Sequence, residues 1–478
     1  MGRHSPLLVG SASGRPNIQF RGTREEVGPW DGPAKPRFLW EPQKRTYYRT
    51  KHRTKYSFTS HYSIVIYVDM SLDREAIKAD TSTVTDRGEA VALMEPLLIG
   101  EGSRHRGTLT DLAVELAQKA AGFRRSLPPS LLVSLADLVR AMNCYYSNLI
   151  EGHNTHPVDI EKALKGNYSH DLKKRNLQLE AKAHIAVQKW IDGGGLGGPA
   201  TSRAAICEIH RRFCSELPPE LLIVEDPESH EKFRVEPGQL RKRDVKVGNL
   251  IPISPGAIPR FLDRFEMVYG NLGKMETILS AAAAHHRLAW IHPFLDGNGR
   301  VCRLMSHATL LETLDTGALW SVSRGLARRV TDYKTLLANC DLPRRNALDG
   351  RGNLSEAELI AFTRFFLDVC IDQVKFMEEL MNPKDLQARV MVWANEQTAA
   401  KELAPHSNKI LEALLYRGEL QRGEVQGILN ISERSAQRAV TSLVKRDVIV
   451  SDSSRAPLRL AFPASLAARW MPELFPEK

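Results

Sequence analysis

The sequence predicts a mainly α-helical protein that ends in a small domain of helices followed by two strands. Residues 131–150 repeat apolar side chains at helical spacing, which predicts a helix with one buried face. The repeating residues are Leu131, Leu135, Leu138, Met142 and Leu149. A second long apolar helix is predicted over 275–290, and after Pro405 short helical segments precede the apolar runs 448–450 and 458–460. At 478 residues, the chain is long enough for two or three units.

The composition is typical of a globular protein. Hydrophobic residues make up 42% of the chain and charged residues 26%, which suffices for a sizeable core. The apolar run 64–68 is far shorter than the roughly 20 residues of a membrane helix, so no membrane partner is expected. Six cysteines show no CxxC spacing and follow no cleavable signal sequence. We therefore expect reduced thiols and a cytoplasmic location.

The formal charge of +10 is concentrated at the N-terminus. Residues 1–69 contain 12 Lys or Arg against 5 Asp or Glu, whereas the rest of the chain contains 54 against 51. The charge therefore says little about the main activity. Residues 1–69 also lack helical or strand periodicity, and we expect a disordered basic tail. Because amphipathic sequence begins after Met70, one hypothesis is that translation starts there, which the intact mass of the native protein would test.

Residues 70–198 are expected to be an N-terminal helical region. This region contains the 131–150 helix, a helical pattern over 177–190 and a Gly-rich break at 193–198. The break lacks the GK[ST] ending of a phosphate loop, so we interpret it as a connector.

Residues 199–330 are expected to form the central domain. Between 233 and 255 Val alternates with Arg and Lys around Pro-Gly, which predicts a β-hairpin. The helix over 275–290 then leads to a polar motif. A helical extension is expected over 331–400, and the C-terminal domain over 406–470.

The strongest functional signal is the sequence HPFLDGNGRVCR at 292–303. Three residues open a predicted helix over 300–311: Gly297, Asn298 and Gly299. At such a helix start the backbone N–H groups and the positive end of the helix dipole favour an anion, and glycine permits its close approach. Arg300 and Arg303 lie on one face of this helix, where both guanidinium groups can reach phosphates.

The residues before this helix would complete a site for a magnesium nucleotide. Asp296 offers a hard oxygen ligand to Mg²⁺ bridging phosphates. His292, with an ordinary pKa near ~6.5, can accept a proton from an attacking hydroxyl, although a histidine taken alone is more often an ordinary interior residue. Phe294 is predicted to pack into the core. His285 and His286 are expected to pack or cap.

The motif resembles the Fic family signature HxFx[DE]GNGRxxR, whose fixed positions are all matched. The matching residues are His292, Phe294, Asp296, Gly297, Asn298, Gly299, Arg300 and Arg303. The resemblance implies a helical core that transfers AMP from Mg-ATP to a Tyr, Ser or Thr hydroxyl of a protein, including itself. It implies that His292 deprotonates the target, that Asp296 binds Mg²⁺, and that Asn298 and the glycine amides hold the α- and β-phosphates. Doc-like kinases have a lysine in place of the second glycine, so Gly299 favours AMP transfer, and phosphate transfer is the alternative.

A second resemblance lies at the end of the 131–150 helix. Ser147 and Glu151 are four residues apart, so both side chains point to one face. The string SNLIEG resembles the inhibitory motif [ST]xxxE[GN] of N-terminally inhibited Fic proteins. The resemblance implies that Glu151 pairs with Arg303 and withholds it from the γ-phosphate. The alternative is a solvated glutamate near a helix end.

The predicted hairpin at 233–255 has the position of the flap of Fic proteins, which pairs with the target segment through backbone hydrogen bonds. The alternative is a simple surface hairpin with a basic tip at Arg241, Lys242 and Arg243.

Residues 406–470 resemble a winged helix-turn-helix domain. Its candidate recognition helix, 432–445, has a capping Ser432 and basic residues that could contact phosphate: Arg434, Arg438, Lys445 and the following Arg446. Residues 406–478 contain 11 basic and 8 acidic residues, so DNA binding and protein docking both stay open. The rival function is a DNA-binding transcription regulator whose Fic-like region senses nucleotide. A homodimer also stays open.

Overall fold

Helices dominate the structure, a computed structural model that describes residues 77–78, 83–127, 129–226, 229–314 and 316–475. This confirms the mainly α fold class. The α-helices of the described residues are α1 (Arg106–Ser126), α2 (Pro129–Ile150), α3 (Pro157–Leu164), α4 (Leu172–Asp192), α5 (Arg203–Ser215), α6 (Ile258–Tyr269), α7 (Lys274–Ile291), α8 (Asn298–Leu314), α9 (Val322–Arg328), α10 (Val330–Asn339), α11 (Glu356–Leu380), α12 (Pro383–Ala399), α13 (Ser407–Arg417), α14 (Glu424–Leu429), α15 (Glu433–Lys445) and α16 (Ala467–Trp470). Short 3-10 helices lie at Val91–Met94, Pro219–Leu222, Pro255–Ala257 and Ala464–Leu466.

The strands of the described residues form two small sheets. In chain order the strands are β1 (Ile77–Lys78), β2 (Ile223–Glu225), β3 (Lys232–Arg234), β4 (Glu419–Leu420), β5 (Ile449–Val450) and β6 (Leu458–Leu460). One sheet has the order β1-β3-β2 and the other β4-β6-β5. β1 pairs parallel with β3, and the other pairings are antiparallel.

A β-hairpin precedes the 292–303 motif, but its predicted position was wrong. The hairpin consists of β2 and β3, with Val224 opposite Phe233. It ends at Arg234, whereas the predicted hairpin began at residue 233 and extended to 255. Residues 235–255, all of them described, form no strand, and the one β-bridge in this segment joins Val247 to Leu250. The backbone there bonds elsewhere, because the Arg241 N–H donates to the Pro293 carbonyl.

The centre of the fold is the packed pair α7 and α8. Both helices are buried on nearly all sides, as expected for helices in the middle of a core rather than at its surface. His285 and His286 of α7 pack as predicted. The ring of His285 bonds the hydroxyls of Ser306 and Tyr333, and His286 Nε2 lies 2.8 Å from Asp341 Oδ1.

Three helices surround the start of α8 and supply its polar neighbours. α4 and α5 both pack on α8, and α2 packs on α4. Side-chain caps fix where α4 and α5 begin, because Asp171 accepts from the Lys174 N–H and Ser202 accepts from the Ala205 N–H. The Gly-rich segment after α4 is a turn, consistent with a connector.

The C-terminal elements lie where the sequence predicted them. Ser432 caps α15 by accepting from the Ser435 N–H, and β4 is an additional short strand beside β6. This region contacts the rest of the chain, because the Tyr146 hydroxyl donates to the Leu474 carbonyl and the Ala464 N–H donates to Glu161. The winged helix-turn-helix assignment and the domain boundaries stay predictions.

Three further expectations concern the N-terminal tail, the cysteines and membrane helices. The basic tail at 1–69 and the proposed start at Met70 lie outside the described residues. The six cysteines are all unpaired. Across the described helices, none combines the length and apolar character that a bilayer crossing requires.

Candidate active site

His292 lies directly after α7, in the loop that leads to α8. Its backbone is left-handed, with φ 51° and ψ 63°, and its N–H donates to the Leu288 carbonyl at 3.1 Å. Ring atom Nδ1 lies 3.3 Å from the Ala289 carbonyl oxygen. Because a carbonyl can only accept, Nδ1 carries the proton and Nε2 is left as the acceptor. The half-buried ring lines the cavity of the site.

Arg241 holds the left-handed backbone of His292 in place. Its Nε donates to the His292 carbonyl at 2.8 Å, and its backbone N–H donates to the Pro293 carbonyl at 2.9 Å. The other guanidinium nitrogens donate to the carbonyls of Arg243 and Ile253. Arg241 is only 4% exposed, so it does not form the basic tip of the alternative interpretation, a simple surface hairpin. A non-glycine residue keeps a left-handed conformation when its surroundings hold it there.

Asn298 closes the loop between the two helices. Its Oδ1 accepts from the Phe294 N–H at 2.9 Å, and its Nδ2 donates to the Phe294 carbonyl at 2.8 Å. Phe294 is fully buried, as predicted, and stacks on His210 with a centroid distance of 3.9 Å. The Asn298 side chain is thus engaged within the loop, which leaves its backbone N–H as the group available to a phosphate.

His210 of α5 is a site residue that the sequence did not indicate. Its Nδ1 accepts from the Gly238 N–H at 2.9 Å, which makes Nε2 the protonated nitrogen. Nε2 lies 3.2 Å from the Asp296 carbonyl oxygen and donates to it. The buried ring thereby orients the backbone just ahead of the glycines. Burial lowers the pKa of His210 to about 4, so the ring is neutral at pH 7.

The start of α8 has the geometry of an anion site. The first N–H groups of a helix have no partner within the helix, and the dipole adds a positive potential. A side chain at Gly299 would clash with Oε1 of Glu151, so the absence of a Cβ lets this carboxylate lie against the first turn of α8. Glu151 therefore occupies the region that the sequence assigned to a phosphate.

Glu151 binds Arg303, as the resemblance to the inhibitory motif implied, and Ser147 binds Arg303 as well. Arg303 Nη2 lies 2.5 Å from Glu151 Oε1, and Nε lies 2.8 Å from Ser147 Oγ. Nη2 also lies 3.3 Å from the Ser147 carbonyl oxygen. Arg303 is 2% exposed, so its guanidinium bonds oxygen atoms of the protein rather than solvent.

The charges of the site are strongly coupled. Burial alone would raise the pKa of Glu151, but the guanidinium groups of Arg303 and Arg300 outweigh it and the pKa is lowered. Burial raises the pKa of Asp296 against the opposing effect of Arg300. Burial, reinforced by Arg241, lowers the pKa of His292 to about 4, so its imidazole is neutral at pH 7.

A single cavity of about 610 Å³ joins these residues, a size typical of small-molecule sites. Its polar wall contains Glu151, His153, Glu180, His292, Asp296, Gly297, Asn298, Gly299, Arg300 and Arg303. Its apolar wall includes Leu222, Ile223, Val235, Val247, Leu250 and Trp290. All of the catalytic, nucleotide-binding, metal and inhibitory residues predicted from the sequence except Ser147 line this cavity, and Ser147 lies behind Arg303.

Residues 200–310 match the sequence model of the Fic/DOC family. This range contains α5, α7, the 292–303 motif and most of α8. This part of the chain is therefore similar to the Fic/DOC family.

The chain is also similar to individual proteins. The chain is 28% identical over 169 residues to "Protein adenylyltransferase Fic" of Drosophila erecta, covering 35% of this chain and 31% of that protein. It is 27% identical over 169 residues to the protein of the same name from Drosophila ananassae, with the same coverage. The chain thus spans about a third of the length of these relatives.

A solved structure described as a Fic family protein, from Desulfovibrio desulfuricans G20, is 16% identical with a TM-score of 0.45. The comparison covers 76% of this chain and 98% of that one.

A second ion pair in the Fic site was not predicted from the sequence. Arg300 Nη2 lies 2.9 Å from Oε2 of Glu180, a residue of α4. His153 Nδ1 lies 2.9 Å from the same Glu180 oxygen and 3.2 Å from Arg300 Nη2. Glu180 is separated from Arg300 by 120 positions in the chain, and only the packing of α4 on α8 brings the two together.

Proposed function

We propose that this protein transfers AMP from ATP to a Tyr, Ser or Thr hydroxyl of a protein, including itself. The observation that carries the proposal is the shared cavity of His292 and the N-terminus of α8. A neutral imidazole with a free Nε2 and an anion-binding helix start are the two groups that such a transfer requires. The names of the adenylyltransferase relatives support the same activity.

The residues of the site have distinct tasks in this reaction. His292 Nε2 accepts the proton of the target hydroxyl while the hydroxyl oxygen forms a bond to the α-phosphorus. The bond between that phosphorus and the bridging oxygen breaks, and pyrophosphate leaves. The N–H groups at the start of α8 stabilise the charge on the phosphate oxygens, and Arg300 and Arg303 bind the β- and γ-phosphates.

Asp296 fits the magnesium ion of a bound Mg-ATP. Among the described residues there is no cluster of three or more His, Cys, Asp or Glu that could hold a metal alone. Mg²⁺ is commonly bound by one or two carboxylates together with substrate phosphates and water, which matches a single Asp beside a phosphate site. The ion would supply positive charge that neutralises the phosphates, and Asp296 would orient it.

We propose further that Glu151 inhibits the enzyme. Its carboxylate lies against the first turn of α8 and pairs with Arg303, so it competes with phosphate for both the helix start and the guanidinium. ATP can bind productively only after Glu151 leaves, since a carboxylate and a triphosphate repel each other at this distance.

Mass spectrometry of the purified protein tests the activity. After incubation with Mg-ATP, the Glu151→Gly protein should gain the mass of one or more AMP groups, and the Glu151→Gly/His292→Ala protein should gain none. A gain of phosphate mass would instead indicate kinase chemistry. An unchanged mass of Glu151→Gly, alone and with a cell lysate, would refute AMP transfer.

A second candidate function, DNA binding by the C-terminal region, rests on one observation. The exposed face of α15 carries Arg434, Arg438 and Lys445, and none of them pairs with a carboxylate in the described part of the chain. Free cations along one helix suit a polyanion. Duplex DNA binding that weakens steeply with salt and is lost in Arg434→Ala/Arg438→Ala would support this function, and equal binding by both proteins would refute it.

A further inference from the structure

The two motif arginines are held in different ways. Arg303 is bonded through Nε and Nη2, to Ser147 and Glu151. Arg300 is held by Nη2 alone, which lies 2.9 Å from Glu180 Oε2. Glu151 thus binds an arginine that Ser147 also bonds, whereas Glu180 bonds Nη2 of an arginine whose Nε has no acceptor within the described structure.

One N–H group of Arg300 has no acceptor among the described residues. Arg300 is 7% exposed, and its buried Nε has no hydrogen-bond partner within the described structure. A buried N–H without an acceptor is costly and rare in native proteins. Because Arg300 lines the cavity at the start of α8, a phosphate oxygen is the acceptor whose chemistry fits this N–H.

The orientation of the Arg300 guanidinium is fixed by two neighbours. Glu180 bonds its Nη2, and the Phe213 ring lies beside it, with its centroid 5.1 Å from Cζ. Burial would raise the pKa of Glu180, but Arg300 and His153 outweigh it and the pKa is lowered, so the carboxylate is charged at pH 7. A carboxylate and an aromatic ring define both the position and the plane of a guanidinium.

We propose that Glu180 is a positioning residue that orients Arg300 toward the nucleotide phosphates and keeps this contact when ATP binds. The inference deepens the proposed function and rests on it. Glu151 and Glu180 therefore have opposite roles, although both are carboxylates paired with motif arginines. Glu151 must leave for ATP to bind, and Glu180 must stay.

His153 bridges the two charged groups from the cavity side. Its Nδ1 lies within hydrogen-bond distance of Glu180 and of Arg300. A single ring nitrogen cannot donate to a carboxylate and accept from a guanidinium at once. The Nδ1 atom of His153 therefore bonds either Glu180 or Arg300 at any moment. Arg300 and Glu180 also bond each other directly, without His153.

The test measures the Kd of Mg-ATP by calorimetry in the full-length Glu151→Gly protein, with and without Glu180→Gln. Loss of one charge-assisted contact should raise the Kd about tenfold. The matched control is Glu115→Gln, because Glu115 is a half-exposed glutamate on α1 that pairs with Lys375, and its Kd should equal that of the parent. An equal or lower Kd in Glu180→Gln would overturn the proposal and make Glu180 a second inhibitory residue or a structural one.

A double-mutant cycle separates positioning from general stability. In an Arg300→Met background, Glu180→Gln should change the Kd less than twofold, because position 300 then has no cation for Glu180 to orient. A tenfold change of the Kd in that background would show that Glu180 does not act by orienting Arg300. If the Glu180→Gln protein does not fold, Glu180→Asp is measured instead. Its side chain is one methylene shorter, so the carboxylate no longer reaches Arg300 in the same geometry. An unchanged Kd of Glu180→Asp would refute the proposal.

The Kd values decide this inference even if the Glu151→Gly protein transfers no AMP, an outcome that would count against the proposed function alone. Failure of the parent to bind Mg-ATP at all would overturn both.

Discussion

Replacing Glu151 by Gly is the perturbation whose effect follows most directly from the geometry. The change removes the carboxylate from the first turn of α8 and its bond to Arg303 Nη2, while Ser147 still bonds Nε and Nη2. Position 151 lies in a turn after α2 and is followed by Gly152, whose φ is 88°. A glycine at 151 therefore interrupts no helix, and the expected effect is confined to the site.

The size of the effect can be estimated from the bond between Arg303 Nη2 and Glu151 Oε1. A hydrogen bond to a charged group contributes about 1.5 to 3 kcal/mol, and about 1.4 kcal/mol corresponds to a factor of ten. ATP must break the contact between Glu151 and Arg303 to bind productively. Removing that requirement should therefore raise the rate of AMP transfer roughly 10- to 100-fold.

The assay follows transfer of α-labelled AMP to the protein itself under initial-rate conditions. Glu101→Gly is the matched control, because Glu101 is an exposed glutamate in a turn, and its rate should equal that of wild type. Thermal unfolding adds an independent measure, since Mg-ATP should raise the Tm of Glu151→Gly more than that of wild type. Equal rates in wild type and Glu151→Gly would refute the inhibitory role of this carboxylate.

Three further predictions concern single residues of the site. Ser147→Ala removes one acceptor from Arg303 but leaves the carboxylate, so label transfer should rise about three- to tenfold, and a rise above that of Glu151→Gly would contradict it. His292, with its pKa lowered to about 4, stays a neutral base as the pH falls from 7 to 5, so kcat/KM of Glu151→Gly should be level there; a fall centred near the ordinary histidine pKa of ~6.5 would argue against this base. Asn298→Ala breaks both bonds to the Phe294 backbone and should lower the free energy of unfolding by about 2 to 4 kcal/mol in urea, whereas an unchanged value would mean the loop is held otherwise.

Features that depend on neighbouring residues could be predicted from the sequence. The 131–150 and 275–290 helices follow from apolar spacing, and the structure has α2 and α7 there. The loop between α7 and α8 has a dense local motif, and the resemblance also predicted that Glu151 would pair with Arg303 across 152 positions. This long-range contact could be predicted because Glu151 and Arg303 each lie in a recognisable sequence motif.

Features that depend on packing alone were missed. Arg241 bonds the His292 carbonyl, His210 bonds the Asp296 carbonyl, and neither sits in a pattern that indicates this role. Periodicity also misled the hairpin assignment, because Val and Lys or Arg continue to alternate after β3 while the backbone bonds the catalytic loop instead. Alternation indicates two faces, but a strand also needs a neighbouring strand to pair with.

A crystal structure of the Glu151→Gly protein with Mg-ATP tests the central claim most directly. We expect the β- and γ-phosphates at the start of α8, with Arg303 bonded to the γ-phosphate and Nε2 of His292 facing the α-phosphorus. A triphosphate bound away from α8, or an α-phosphate beyond the reach of His292, would contradict the claim that this cavity transfers AMP.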